Sequence, residues 1–404
     1  MANASVNTKI ADAVAGHRSG MALAGTWYVD PDIYQQDLRL LGRHWLCAGH
    51  TSELAEPGAY ILYELGGESV IIIRGQDDVV RALANVCRHR GSRLCEARQG
   101  VVRLLTCPYH AWAYRADGTL LTARGMAADF RPEDHSLRSY PVTIKGGLIF
   151  VALTDTPLPF GDFEPAMDGF LRAYGWADAK IAHRATFTVA ANWKLTVENY
   201  LECYHCGPAH PEFSLSHSTA LPHAAAAAGD NALRRLGEAR ELGIVEYSSW
   251  GRTGLEAEMG NINRSALYPG YVTGSQDGAG VAPLMGRFAE YDGGCTYMEV
   301  GPLSTFLGYP DHGLIYRFIP RGPLHTEMEV LWLVRETAVE GVDYDLARLT
   351  WLWTVTSEAD KKIVQMNQDG VASMAYLPGP YAEMEHGTRS FIDRYVQESW
   401  QAVT

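Results

Sequence analysis

The spacing of hydrophobic and polar positions divides the chain into a helical start, a β-rich middle and a mixed remainder. In residues 26–45 large apolar side chains recur at helical intervals, after the helix-start pair Asp30-Pro31. Between Gly58 and Leu153 the apolar residues instead form short β-branched or aromatic runs separated by turn residues, namely AYILYEL, SVIIIRG, VVRALANV, VRLLTC and GGLIFVAL. This pattern predicts a helical lead-in followed by a small all-β domain.

After the proline-rich segment TDTPLPFGDFEP, which is typical of a linker, the pattern is mixed. Helical spacing occurs at 165–175, at 194–206 and from Asp345 to about Gln368, and HAAAAA is compatible with helix or loop. Strand-like runs occur between these segments, at CTYMEV, LIYRFIP and TEMEVLWLVRE. We therefore predict an α+β protein with a lead-in over 1–45, an all-β domain over 46–160, and over 161–404 an antiparallel sheet covered by helices.

The composition of the chain limits the classes of partner and the cellular compartment that we expect. The formal charge of -13 over 404 residues, without a basic run, argues against nucleic acid and anionic membrane surfaces. No apolar run approaches the roughly 18 residues that cross a membrane, and the first residues lack the apolar core of a signal peptide. We expect a cytoplasmic protein, in which the seven cysteines serve as thiols or metal ligands and not as a disulfide framework.

Two mixed cysteine-histidine pairs lie in the β-rich part. CRHRG contains Cys87 and His89, and CPYHAW contains Cys107 and His110. A structural zinc site is the alternative, but zinc fingers normally pair cysteine with cysteine and histidine with histidine. A [2Fe–2S] cluster with two cysteines on one iron and two histidines on the other requires such mixed halves. The spacing therefore favours the cluster.

Neighbouring residues support this interpretation. Gly91 and Pro108 lie beside the ligands, where the backbone must bend, and Trp112 can shield a cluster from water. The remaining cysteines in this part and beyond it, Cys47, Cys95 and Cys295, have no matching histidine and are expected to be buried thiols.

A second group of ligand-type residues lies in ENYLECYHCGPAH. The segment predicts a helix to Cys206, ended by Gly207-Pro208, so that Glu202 and His205 share a face. His210 follows the break, where the bend can return it to His205. Two histidines and one carboxylate form the facial triad of non-haem Fe(II) oxygenases.

The carboxylate is predicted from the C-terminal helix. Its apolar stripe passes through Leu349, Trp353 and Thr356 and reaches Asp360, whereas Glu358 lies on another face. A buried aspartate is costly unless it is compensated, so Asp360 is the candidate third iron ligand. The alternative is that Asp360 caps a buried backbone group.

Cys203 and Cys206 are not expected to bind this iron, because thiolates favour zinc or iron–sulfur clusters over an oxygen-activating Fe(II) site.

With both motif groups in this order, the sequence resembles the oxygenase subunit of the Rieske non-haem iron oxygenases over nearly its whole length. NWKLTVENYLECYHCGPAHPEFS, CPYHAWAYRADGTL and LPGPYAEMEHGTRSFIDRYVQ resemble the branch acting on quaternary ammonium compounds. The resemblance implies an N-terminal Rieske domain, a catalytic domain and a homotrimer. It also implies that Glu202 bridges His110 of the adjacent subunit and His205 of its own, where many ring-hydroxylating relatives carry aspartate.

The resemblance further implies a monooxygenase that uses O2. A separate reductase containing flavin and an iron–sulfur centre would supply electrons from NAD(P)H, and hydroxylation of an N-methyl group on a betaine-like small molecule would release formaldehyde. The rival enzyme is an aromatic-ring or aromatic-acid hydroxylase on the same scaffold. The rival without catalysis is a Rieske electron carrier or a zinc-stabilised binding module, neither of which needs the second metal site.

Overall fold

The computed structural model describes residues 2–217, 221–250 and 254–403, with backbone only for residues 2–5. The chain forms two compact units, Trp45–Pro157 and Met1–His44 together with Leu158–Thr404. The predicted α+β fold, with an all-β N-terminal domain, is confirmed.

The N-terminal helices belong to the larger unit. They are α1 (Ala2–Gly16), α2 (Thr26–Val29) and α3 (Pro31–Leu41). Asp30 caps α3 as expected, because its carboxylate accepts the N–H of Asp32 at 2.8 Å. Buried Asp37 on α3 accepts hydrogen bonds from Lys194 Nζ and from Tyr395 Oη. The lead-in helix is thus tied to the unit that contains residues 158–404.

The smaller unit consists of short antiparallel strands. They are β1 (Leu46–His50), β2 (Ala59–Leu65), β3 (Glu68–Arg74), β4 (Val80–Ala84), β5 (Gln99–Val101), β6 (Leu105–Thr106), β7 (Ala113–Tyr114), β8 (Leu120–Thr122), β9 (Ser139–Tyr140), β10 (Val142–Lys145) and β11 (Leu148–Val151). Their sheets have the orders β5-β2-β3-β4-β9, β1-β11-β10 and β6-β7-β8. Ile71 and Ile73 point from β3 into a core shared with the cysteine-containing loops.

The larger unit is a seven-stranded antiparallel sheet with helices packed on it, in the order β12-β18-β17-β16-β15-β14-β13. Its elements are α4 (Glu164–Ala173), β12 (Ala179–Val189), α5 (Trp193–Tyr200), α6 (Cys206–Ala209), α7 (Pro211–Ser216), α8 (His223–Ala239), β13 (Tyr247–Ser248), β14 (Gly260–Ala266), β15 (Gly294–Val300), β16 (Ser304–Gly308), β17 (Gly313–Gly322), β18 (His325–Arg335), α9 (Leu346–Val371) and α10 (His386–Gln401). The long helix α9 packs against β12 and α5. HAAAAA begins α8 and is therefore helix.

Strands β14 and β15 have two different faces. Asn261, Asn263 and Ser265 on β14 are cross-strand partners of Glu299, Tyr297 and Cys295 on β15. These six residues line a cavity. On β15 the intervening Met298 is buried in the core, whereas on β14 buried Ile262 also borders the cavity. Successive side chains of a strand point to opposite faces, so the alternation on β15 separates cavity positions from core positions.

None of the helices among the described residues has the length and hydropathy needed to span a bilayer.

Candidate metal centres

The two cysteine-histidine loops of the smaller unit have the same backbone construction. The N–H of Cys87 donates to the carbonyl of Ser92 at 2.8 Å, and the N–H of Gly91 donates to the carbonyl of Cys87 at 3.0 Å. In the second loop Cys107 pairs with Trp112 at 2.8 Å and Ala111 with Cys107 at 3.0 Å. Each cysteine therefore begins a closed turn that carries a histidine.

Each turn needs a residue in the left-handed region at the same place. Gly91 has φ of 77° and Ala111 has φ of 56°. A left-handed residue other than glycine costs roughly 1–2 kcal/mol, so the second turn keeps its shape against the preference of its alanine. Gly91 was singled out in the sequence, whereas Ala111 carries no local signal of its conformation.

The side chains of these two loops lie close together. The rings of His89 and His110 have centroids 4.6 Å apart, and Trp112 stacks on His89 at 4.8 Å. Cys87 and Cys107 are each 2% exposed. Among the described residues nothing pairs with Nδ1 of His89, although this atom is buried. A buried ring nitrogen without a partner fits a metal ligand.

The polar surroundings favour thiolates. Burial alone would raise the pKa of the Cys107 thiol, but the backbone N–H groups of Tyr109 and His110 lower it below its usual range. Tyr114 Oη lies 3.4 Å from Cys87 Sγ. Hydrogen bonds to sulfur of this kind tune the reduction potential of iron–sulfur clusters. The two thiols and two imidazoles therefore fit a [2Fe–2S] cluster.

The arrangement also argues against a single zinc ion. Among the described residues, the group of three or more ligand-type side chains whose donor atoms all lie within 4.8 Å of one another is His205, His210 and Asp360. A four-coordinate zinc would draw all four donors of the smaller unit around one point. In a [2Fe–2S] cluster the four donor atoms are divided between two irons, so they do not all lie close to one point.

The second site is built from a chain segment that differs from its prediction. The predicted helix to Cys206 is wrong, because α5 ends at Tyr200 and the short helix α6 begins at Cys206, with His205 as its N-cap. Pro208 lies inside α6, where the first turn has N–H groups without helical partners and tolerates proline. His210 occupies the junction of α6 and α7.

The three predicted iron ligands nevertheless lie together. Nε2 of His210 lies 2.9 Å from Oδ1 of Asp360, and Nε2 of His205 lies 3.3 Å from the same oxygen. Burial alone would raise the pKa of Asp360, but the two histidines lower it. Nδ1 of His210 is buried and, within the described part of the chain, has no hydrogen-bond partner. Two imidazoles and one carboxylate in this arrangement fit a facial triad for Fe(II).

Within the described part of the chain, Asp360 contacts the two histidines and does not cap a backbone group. Glu358 lies two positions before Asp360 on α9. Its side chain is 57% exposed, and its Oε2 lies 3.6 Å from Nζ of Lys361. The helical spacing therefore placed the inward and outward carboxylates as observed.

Glu202 contacts His205 from the side opposite to Asp360. Its Oε1 lies 2.6 Å from Nδ1 of His205, and its Oε2 accepts the backbone N–H of Tyr204. The imidazole is thereby oriented with Nε2 toward Asp360. A carboxylate that holds the second ring nitrogen of a histidine ligand is a usual outer-shell arrangement.

Cys203 and Cys206 form a disulfide with each other. The expectation that all seven cysteines are thiols or metal ligands is wrong for this pair, because the turn between α5 and α6 brings the two sulfurs together. Their exclusion from the group of iron ligands agrees with the geometry. Cys47, Cys95 and Cys295 are buried thiols that are not part of the disulfide, as expected.

A cavity of about 820 Å³ opens beside the three converging side chains. Tyr200, Trp250, Tyr297 and Trp353 provide aromatic lining, and Glu299 lines the same space. Of the aromatic residues on the sheet, Tyr297 faces the cavity, whereas Tyr316 and Phe318 pack against Tyr200. The sequence did not single out Tyr200, Trp250 or Glu299, because no local pattern shows which side chains of a helix end, a turn or a strand border a cavity.

Comparison with known proteins identifies the two domains. A family model for the Rieske [2Fe-2S] domain matches residues 44–141, and one for the catalytic domain of the ring-hydroxylating alpha subunit matches residues 176–398. The chain is 35% identical over 395 residues to the glycine betaine monooxygenase oxygenase subunit of Chromohalobacter salexigens, covering 95% of this chain and 87% of that protein.

Two further relatives extend the comparison. The carnitine monooxygenase oxygenase subunit of Escherichia coli K12 is 36% identical over 205 residues, covering 50% of this chain and 55% of that protein. The crystal structure of the quaternary ammonium Rieske monooxygenase CntA with L-carnitine matches with a TM-score of 0.71 and 25% identity, covering 96% of this chain and 98% of CntA. The chain therefore belongs to the ring-hydroxylating alpha-subunit family and is the oxygenase subunit of a Rieske non-haem iron monooxygenase, with a [2Fe–2S] domain followed by a mononuclear iron domain.

Proposed function

We propose that this protein hydroxylates an N-methyl group of a quaternary ammonium, betaine-like compound and so removes that methyl group as formaldehyde. The observation that carries the proposal is the aromatic cavity beside His205, His210 and Asp360. An aromatic face attracts a desolvated cation by about 2 kcal/mol. The relatives that act on glycine betaine and carnitine support the same substrate class.

The geometry above supports a role for each ligand residue. Cys87, Cys107, His89 and His110 would hold a [2Fe–2S] cluster, the cysteines on one side and the histidines on the other. His205, His210 and Asp360 would hold a mononuclear iron, which would supply oxygen activation beside the cavity. Glu202 keeps the His205 ring in the orientation that this site needs.

We further infer that the chain forms a homotrimer in which Glu202 would connect the mononuclear site electronically with the cluster site of an adjacent subunit. His110 and Tyr204 are exposed within their own units and are accessible to another copy of the chain. The structure of another quaternary ammonium Rieske monooxygenase, 24% identical to this chain, is described as giving insight into inter-subunit electron transfer. A separate reductase with flavin and an iron–sulfur centre would reduce the cluster with electrons from NAD(P)H.

The reaction balances with one O2, two electrons and two protons. One oxygen atom enters a C–H bond of the N-methyl group to give N-hydroxymethyl, and the other leaves as water. The C–N bond then breaks, the hydroxyl proton is released, and the electron pair returns to nitrogen. The products are a tertiary amine and formaldehyde.

A single-turnover screen tests this function without the reductase. The oxygenase is reduced chemically and mixed with oxygen and a panel of methylated ammonium compounds and aromatic acids, and formaldehyde and hydroxylated products are measured. We expect formaldehyde from methylated ammonium compounds, and from none of the aromatic acids. Ring hydroxylation without formaldehyde would instead identify an aromatic-ring hydroxylase.

A further inference from the structure

The charges around the cavity are of one sign. Five carboxylates line it, and among the described residues the lining contains no lysine or arginine; the carboxylates are Glu202, Asp230, Glu246, Glu299 and Asp360. Arg264, on the adjacent strand β14, points to the other face and pairs with Asp292. An anionic group entering this space would therefore lose its water without meeting a lysine or arginine among the described lining residues.

Four of the five carboxylates have partners. Glu202 and Asp360 contact the proposed iron ligands. Asp230 accepts the backbone N–H of Ala266 at 2.8 Å, and Glu246 pairs with Arg234 at 3.2 Å. These four carboxylates therefore have hydrogen-bond or ion-pair partners within the protein.

Glu299 is different. Its Oε2 is buried and has no hydrogen-bond partner among the described residues. Burial raises the pKa of this carboxyl to about 7, while Asn261, its cross-strand partner, lowers it. A buried carboxylate without a counter-charge is costly, so an incoming cation would relieve a cost that the protein alone leaves in place.

Nearby buried groups also lack partners. Tyr200 Oη and Thr305 Oγ1 are buried without a hydrogen bond in the described part of the chain. Thr305 is the cross-strand partner of Glu299 on β16. Tyr200 lies close enough for the charge of Glu299 to raise its pKa further, beyond the larger effect of burial. Tyr200 and Thr305 lie near enough for their hydroxyls to interact with each other. The carboxylate oxygen of Glu299 that has no partner among the described residues, beside this aromatic wall, therefore marks the place where a cationic ligand belongs.

We propose that Glu299 is the counter-ion of the substrate's ammonium group, and that the preferred substrate is a methylated ammonium cation without a carboxylate. This inference rests on the proposed function and narrows it, because glycine betaine and carnitine both carry a carboxylate. A neutral polar group at the other end of the substrate can bond to the Asn263 and Ser265 side of the cavity floor. A carboxylate there would meet no cationic side chain of the described lining.

Binding measurements on the metal-loaded protein separate charge from shape. Three probes of similar size are titrated calorimetrically: choline, glycine betaine, which replaces the alcohol by a carboxylate, and 3,3-dimethyl-1-butanol, which replaces the ammonium nitrogen by carbon. We expect choline to bind on the order of 10-fold more tightly than either of the other two. Glycine betaine binding as tightly as choline would overturn the proposal.

Variants then assign the preference to Glu299. Glu299→Gln should weaken choline binding by about 10-fold or more and leave the neutral alcohol unchanged, because only the charge is removed. Glu246→Gln, a cavity carboxylate already paired with Arg234, is the matched control and should change choline affinity by less than about threefold. Equal losses for choline and the neutral alcohol in Glu299→Gln would show a role in cavity shape alone and overturn the proposal.

Arg252 lies outside the described residues and provides a further check. If Arg252→Ala abolished tight binding of glycine betaine, that arginine would be the partner of a substrate carboxylate, and the proposal would be wrong. Failure of the wider function is distinguishable, because it would appear as no formaldehyde from any methylated ammonium compound.

Discussion

In the smaller unit the proposed cluster ligands come from two neighbouring loops, whereas in the larger unit the proposed iron ligands His210 and Asp360 are 150 positions apart. The first site is shaped by backbone turns that repeat the same hydrogen bonds. The second depends on how α9 packs against the segment after α5. A site of the first kind is set by local sequence, and one of the second kind by the tertiary fold.

The largest loss of activity is expected when Asp360, the proposed iron ligand that is distant in sequence from the two histidines, is removed. Asp360→Ala should lower turnover by at least about 100-fold, beyond the loss usual for outer-shell changes, because the iron loses its carboxylate. The visible spectrum of the cluster should stay unchanged, since that unit has its own ligands. Both are measured on one preparation by product formation and absorption.

Glu358→Gln, on the exposed face of the same helix, is the matched control and should retain activity. If Asp360→Ala kept full activity, the carboxylate ligand would come from elsewhere and the comparison of the two sites would fail.

Glu202→Gln tests whether the two sites are connected electronically. It keeps size and hydrogen-bonding capacity but removes the charge held 2.6 Å from His205. We expect both metal sites to stay loaded while cluster reoxidation after addition of substrate and oxygen slows by about 10 to 100-fold. Exposed Glu212→Gln serves as control. Reoxidation at the rate of the unmodified protein would show that Glu202 has no role in electron transfer between the two sites.

Stability of the larger unit should depend on pH through His44. Burial opposes a charge on His44, but Glu258 at 2.7 Å and Glu398 at 3.1 Å overcome this and raise its pKa to about 10. Because the folded pKa is raised, the stabilisation is complete below about pH 6.5 and is lost as the pH rises to about 10.

Thermal unfolding followed by tryptophan fluorescence measures this effect. The Tm should fall between these pH values by about 2 to 4 °C for each kcal/mol lost. His44→Gln should have a lower Tm with a flatter dependence over the same range. An unchanged slope in that variant would assign the titration to another group.

The smallest expected effect compares the two cluster loops with each other. Gly91→Ala places a side chain at φ of 77° with nothing within 4 Å of the new Cβ, so backbone strain alone should cost about 1 kcal/mol. Ala111→Gly relieves the same strain but adds freedom to the unfolded chain, and should be nearly neutral. Thermal loss of the cluster absorption distinguishes the two. Equal losses would mean that the loops are not equivalent in construction.

The sequence predicted the parts of each site that follow from local pattern. Helical spacing was enough to place Asp360 inward on α9, and the mixed motifs were enough to group Cys87, His89, Cys107 and His110. The sequence did not predict the end of α5 at Tyr200. The residues after Tyr200 have a local preference for helix, and tertiary contacts override that preference. The Cys203–Cys206 disulfide was missed for the same reason, since it depends on that turn.

The assignment of Glu299 required the fold itself. Its neighbours on β15 alternate as in any half-buried strand, and only the pairing with β14 and β16 shows that its face borders a cavity.

The two-faced pairing of β14 with β15 also bears on how enzymes of this kind diversify. Cavity positions on β15 alternate with core positions, so a mutation at Tyr297, or at its cross-strand partner Asn263, alters what the cavity accepts while Met298 continues to support the sheet. Selection or a combinatorial library can therefore explore new substrates at every second residue of β15 and at the partners of these residues on β14. The scaffold that holds the metals is left intact during that exploration.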